Sequence, residues 1–133
     1  MTLQTDIQTL FQKYLTAWNA RDFDAVADCY SFPCLFVLPN VSIPVPDAEA
    51  MKAMLQQLFT GLEDNGFDRT EIGNVTASAC GHSLAIVDAS EVKRLRADGT
   101  ILETIDGHYV ARLENGEWRF VSAVTCAPGW RTT

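Results

Sequence analysis

The spacing of apolar residues changes once along this chain, from a helical period to a strand period. Leu3, Ile7, Leu10, Phe11, Tyr14, Leu15 and Trp18 recur at the 3.6-residue interval of a one-faced helix. Asn19, Ala20 and Arg21 break that rhythm. Asp22 then offers a side-chain acceptor for the unpaired N–H groups of a second, short helix carrying Phe23, Val26, Ala27 and Tyr30 on one face. FPCLFVLP, with Pro33 and Pro39 near its ends, reads as an edge strand, because proline cannot donate to a ladder. VSIPVP continues as extended chain or a second short edge strand. Asp47 caps a third helix bearing Met51, Met54, Leu55, Leu58, Phe59 and Leu62, and Asn65-Gly66 ends it.

From Phe67 onward the signals are those of strands. Cys80-Gly81, Asp98-Gly99 and Asn115-Gly116 divide this half into strands over roughly 67–79, 82–96, 101–113 and 117–127. Tight turns fix register. With two-residue turns, Leu113 faces Trp118, Ala111 faces Phe120, Tyr109 faces Ser122 and Gly107 faces Val124. On the other side of the same strand, Leu95 faces Leu102, Val92 faces Ile105, Ser90 faces Gly107 and Asp88 faces Tyr109. Unbroken alternation then puts Ile86, Asp88, Ile105, Tyr109, Phe120 and Ser122 on the face that receives the helices. A polar row of Asp88, Tyr109 and Ser122 would cross that apolar face. A carboxylate there is costly unless hydrogen-bonded or hydrated, so the row is the sequence's best indication of a cavity. The other face mixes small apolar residues with Asp106, His108, Arg112 and Arg119, as solvent-facing or dimer surfaces do.

Composition changes this picture mainly by exclusion. At 133 residues and 47% hydrophobic, the chain fits one α+β domain over residues 1–133 with a core of its own. A net charge of −7 with no Lys/Arg run argues against nucleic acid and anionic membrane surfaces as partners. No stretch reaches the roughly 18 apolar residues of a membrane span. The opening MTLQTDIQTLFQKYL lacks a signal-peptide pattern, so a cytoplasmic location is expected. Cys29, Cys34, Cys80 and Cys126 form no C-x-x-C pair and have no histidine at zinc spacing, so no metal is expected and they read as buried thiols. No glycine-rich phosphate loop is present, and no cofactor is expected.

The segment KYLTAWNARDFDAVADCYSFP and the hairpin ENGEWRFVSA, joined by a proline-flanked short strand, resemble the nuclear transport factor 2-like superfamily. That group includes SnoaL-like polyketide cyclases, ketosteroid isomerases and scytalone dehydratase. The resemblance implies a cone-shaped, curved antiparallel sheet wrapped on three N-terminal helices, an apolar pocket and a homodimer. It places Tyr14 where ketosteroid isomerases carry an oxyanion-stabilising tyrosine. The position of their general base is Leu38 here, and that of their second acid is Tyr109. Trp18, Tyr30, Phe36, Leu38, Met54 and Ser122 are expected to form the pocket wall. Two functions follow. One is cofactor-independent acid–base chemistry of the isomerase, dehydratase or cyclase type on a small apolar molecule, with Asp88 carrying the proton and Tyr14 and Tyr109 orienting the substrate. The other is a non-catalytic ligand-binding or dimerisation module. The expected dimer surface is the convex face at Asp106, His108, Val110, Arg112 and Val121.

Overall fold

A computed structural model describes residues 2–126. The element order is α1 (Leu3–Asn19), α2 (Phe23–Asp28), β1 (Tyr30–Leu38), β2 (Val41–Val45), α3 (Ala48–Asp64), β3 (Phe67–Cys80), β4 (Leu84–Arg96), β5 (Ile101–Glu114) and β6 (Glu117–Cys126). This is the expected α+β arrangement of three helices and a curved sheet. Asp22 and Asp47 cap their helices by accepting from the N–H groups of Ala25 and Ala50, and Thr2 does the same for α1. The segment PGWRTT, expected as a surface extension, lies outside the described residues.

The strands form one six-stranded sheet in the order β2-β1-β6-β5-β4-β3. All neighbours are antiparallel except β1 and β6, which run parallel. The proline-flanked strand thus extends the meander beside β6 and places Phe36 level with Ala123. β2, with Pro44 in it, forms one edge.

The other edge, β3, is stitched to α1 by two side-chain amides. Gln4 donates to the Val75 carbonyl and accepts from the Ala77 N–H. Asn19 donates to the Thr70 carbonyl and accepts from the Thr70 N–H. These residues sit at opposite ends of α1, so the helix is held along its length over the sheet.

Two β-bulges overturn the register expected from unbroken alternation. Near the hairpins Val92 pairs with Ile105, Leu113 with Trp118 and Ala111 with Phe120 as expected, but a further slip between Arg94 and Leu95 sets Leu95 against Ile101 instead of Leu102. Between Val92 and Ala89 the β4 ladder slips by one residue, so Gly107 faces Ala89 and Tyr109 faces Val87. Glu91 absorbs the slip with a left-handed φ of 54°. Gly73 lies against it on β3, where an added Cβ would come within 2.8 Å of the Glu91 side chain. In β6 the ladder slips again between Phe120 and Ser122, so Tyr109 faces Ala123 instead of Ser122. A one-residue insertion transfers every following side chain to the opposite face. Ala85, Val87, Ala89 and Ala123 therefore point into the core, each at most 4% exposed.

Asp88 and Ser122 are consequently turned away from the helices. Asp88 pairs with His108 across the ladder, and Ser122 with Val110. Of the cysteines expected to be buried, Cys29 and Cys34 are, whereas Cys80 is exposed and Cys126 is intermediate.

Candidate functional site

Between α1 and the inner face of the sheet lies a cavity of about 380 Å³. Most of its wall is apolar: Phe11, Leu15 and Trp18 come from α1, Phe36 and Leu38 from β1, and Leu58 from α3. The sheet supplies Ile72, Val92 and Ile105 as one row, with Tyr109 and Ala123 deeper in. A space of this size and lining is typical of small-molecule sites.

Tyr14 and Tyr109 both line the cavity. Tyr30 stands one layer behind. It is 2% exposed, its ring stacks on Phe36 at 5.3 Å, and its hydroxyl donates to that of Tyr14 at 3.0 Å. The rings of Tyr14 and Tyr109 meet edge to face at 6.1 Å. Burial pushes the Tyr14 phenol up to about 12, only partly opposed by the bond from Tyr30 and by the positive charge of Arg94. Tyr30 and Tyr109 are held well above the usual phenol range, chiefly by burial and then by the negative charge an ionised Tyr14 would bring. The cavity therefore presents neutral phenols, able to donate to a ligand oxygen, throughout the ordinary pH range. Gly107 makes room for this arrangement, because a Cβ there would approach the Tyr109 ring and hydroxyl to 3.0 Å.

Several expected site residues lie elsewhere. Asp88 is outside the cavity, because the β4 bulge turns it to the outer face, where its Oδ1 lies 2.6 Å from Nδ1 of His108. Ser122 leaves the wall for the same reason in β6, and Ala123 takes its place. Tyr30 supports the wall without forming it. Met54 packs against the core on α3, but the cavity ends one turn further along at Leu58. On the outer face Val121 occupies the bulge, so Ser122 and Val124 lie beside Val110 and His108.

A polar end to the cavity was not foreseen. Thr70, Arg94 and Glu103 stand side by side across β3, β4 and β5 and all line it. Nη1 of Arg94 donates to Oε2 of Glu103 at 2.9 Å. The Arg94 side chain is only 15% exposed, against 42% for Glu103. Among the described residues, Nε of Arg94, the hydroxyl of Thr70 and the indole N–H of Trp18 are buried without a hydrogen-bond partner. All three belong to residues that line the cavity. The signal for this end was in the sequence, since Arg94 and Glu103 fall on the face of Val92 and Ile105 once those two are paired.

The carboxylate of this wall is thus Glu103, and it is bonded to Arg94. Leu38, at the position of an isomerase base, contributes only hydrocarbon. Among the described residues no group of three or more His, Cys, Asp or Glu is arranged to hold a metal ion. No helix among them is long and apolar enough to cross a membrane.

Solved structures share this fold at low sequence identity. An NTF2-like protein with a cystatin-like fold from Novosphingobium aromaticivorans superimposes with a TM-score of 0.75 at 18% identity, over 95% of this chain and 82% of that one. Aln2 from a Streptomyces species gives 0.75 at 16% identity, over 96% and 92%. A protein named as a candidate aromatic ring hydroxylase from Novosphingobium aromaticivorans gives 0.72 at 16%, over 93% and 87%. At such identity the likeness is one of fold. No curated protein matches the sequence. The model of the family described as NTF2-like protein (DUF6841) matches residues 5–128. With that match over nearly its whole length and the helices-then-sheet fold behind it, the chain belongs to the NTF2-like protein family DUF6841.

Proposed function

We propose that this protein binds a small, largely apolar molecule in the cavity between α1 and the sheet, without performing acid–base chemistry on it. The observation that carries the reading is the wall itself, apolar over most of its surface and supplied with phenol donors, but with its carboxylate bonded to Arg94. Proton transfer between carbons needs a base within reach of the substrate. Asp88 faces away, Leu38 has no proton to exchange, and Glu103 is committed to Arg94.

The test uses N-phenyl-1-naphthylamine, a neutral probe that fluoresces on leaving water. Saturable one-to-one binding is expected. Leu15→Trp and Ile72→Trp, which thrust bulk into the cavity from opposite walls, should each weaken it about ten-fold or more. Weak non-saturable enhancement, or binding that ignores both substitutions, would contradict the reading.

We infer that the partner on the outer sheet face is a second copy of this chain. Leu35 and Ile86 are exposed there beside Val110 and Val124. The same patch carries Arg112 and His108 with Asp88 and Asp106, so two-fold pairing can match opposite signs on chains that otherwise repel. Analytical ultracentrifugation should show a dimer that Ile86→Lys converts to monomer. A monomeric parent protein at micromolar concentration rules the interface out.

A further inference from the structure

We propose that the ligand of this cavity carries a carboxylate, received at the Thr70–Arg94 end, with its apolar body running toward Tyr14 and Tyr109. This rests on the reading that the cavity takes a small apolar molecule, and adds the chemical class of that molecule.

An arginine inside a largely apolar wall is costly unless its charge and its donors are matched. Arg94 is only partly matched. The guanidinium has five N–H donors in a planar fork, and a carboxylate pairs best with two of them at once. Glu103 takes one contact, at Nη1, and is the more solvent-exposed partner. Nε is buried without an acceptor. The side of the fork turned from Glu103 thus has no acceptor among the described residues, and Arg94 lines the cavity.

Thr70 stands directly opposite Arg94 in the ladder. Asn19 bonds both its backbone N–H and its carbonyl, which fixes the residue in place. The residue is 6% exposed, and its hydroxyl has no partner among the described residues. A hydroxyl donor beside a guanidinium suits the two oxygens of one carboxylate. The indole N–H of Trp18 is a third unsatisfied donor in the same wall. All three groups can donate, so what they lack is an acceptor. An anionic oxygen meets that need better than a neutral one, because bonds to charged acceptors are the stronger. The protein carries a net charge of −7, so a basic group covered in this wall runs against its general composition.

Glu103 is the opposing charge. It neutralises Arg94 in the free protein, and a bound carboxylate must share the guanidinium with it. Affinity is therefore limited by Glu103, and its removal should strengthen anion binding.

The experiment is isothermal titration calorimetry with 2-naphthoate and 2-naphthalenemethanol, which share a ring system and differ in charge. At pH 7 the naphthoate should bind about ten-fold or more tightly than the alcohol. Arg94→Gln should bring the naphthoate to the level of the alcohol. Glu103→Gln should strengthen naphthoate binding several-fold relative to that of the alcohol. Equal affinities in the parent protein, a preference that survives Arg94→Gln, or no gain for naphthoate in Glu103→Gln would each overturn the proposal. The Glu103 variant decides the matter if Arg94→Gln fails to fold. Alcohol binding without naphthoate preference leaves the cavity reading standing and removes only this one. Binding of neither probe overturns both.

Discussion

Val87→Asp is expected to leave the chain unfolded at 25 °C, whereas Asp88→Ala should keep it folded. Val87 is fully buried in the inner face of β4. Its replacement forfeits about 1.5–3 kcal/mol of side-chain burial. The new carboxylate would sit among apolar groups, at a further cost of several kcal/mol even after relaxation. Together these rival the roughly 5–15 kcal/mol that holds an ordinary domain folded. Asp88, one residue on, is 38% exposed in its side chain and pairs with His108 on the outer face. Removing such a partly exposed pair costs about 1 kcal/mol or less. Circular dichroism and urea unfolding of the two variants check this. With unbroken alternation along β4, Val87 would lie on the outer face and Val87→Asp would be tolerated.

Raising the pH from 10 to 12 should destabilise the protein steeply. Tyr14 ionises at about 12 in the folded state, against 10.0 for an unperturbed phenol. Below pH 10 it is protonated in both folded and unfolded chains, so its contribution is fully present. Between 10 and about 12 the unfolded chain gives up its proton while the folded chain keeps it. The unfolded state then binds fewer protons, and stability falls as pH rises. A two-unit shift corresponds to about 2.7 kcal/mol for this one group. Tyr30 and Tyr109 are shifted the same way and add to the loss. Urea midpoints between pH 9 and 12, with tyrosinate absorbance read alongside, provide the measurement. Midpoints that stay level to pH 12, or tyrosines that all titrate near 10 without unfolding, would contradict the buried cluster.

The elements of this fold were legible in the sequence because their signals are local. The 3.6-residue spacing from Leu3 to Trp18, the caps at Asp22 and Asp47, and the turn at Asn115-Gly116 each depend on a few neighbouring residues. The inner face of the sheet was legible only as far as the hairpins fix it. Beyond Val92 and Phe120 the register depends on bulges, and a bulge leaves a faint mark in sequence. One mark was present. Ala85, Val87 and Ala89 alternate in one phase and Val92 in the other, with Asp88 and Ser90 in the outward positions between them. Honouring both phases requires an extra residue near Glu91, where the left-handed backbone is found. The two errors compounded because Tyr109 keeps its face while its neighbours on both sides change theirs. A polar row read as Asp88, Tyr109 and Ser122 is in fact Val87, Tyr109 and Ala123.

Tyr14, Trp18, Phe36, Leu38 and Tyr109 line the cavity, and each lies on an element whose phase a helix period or a nearby turn sets. Arg94 and Glu103 lie on the same face as Val92 and Ile105, two residues toward the hairpin. Charged residues near a turn ordinarily face solvent. Here the covering of Arg94 comes from contacts remote in sequence, which no local pattern reports.

The central claim is that the space between α1 and the sheet holds a small molecule. A crystal structure of the protein with N-phenyl-1-naphthylamine tests it most directly. Density for the aromatic rings is expected between Trp18 and Ile105, within reach of the Tyr14 hydroxyl. Density for the probe only on the outer face, with side chains filling the space beside Tyr14, would contradict it.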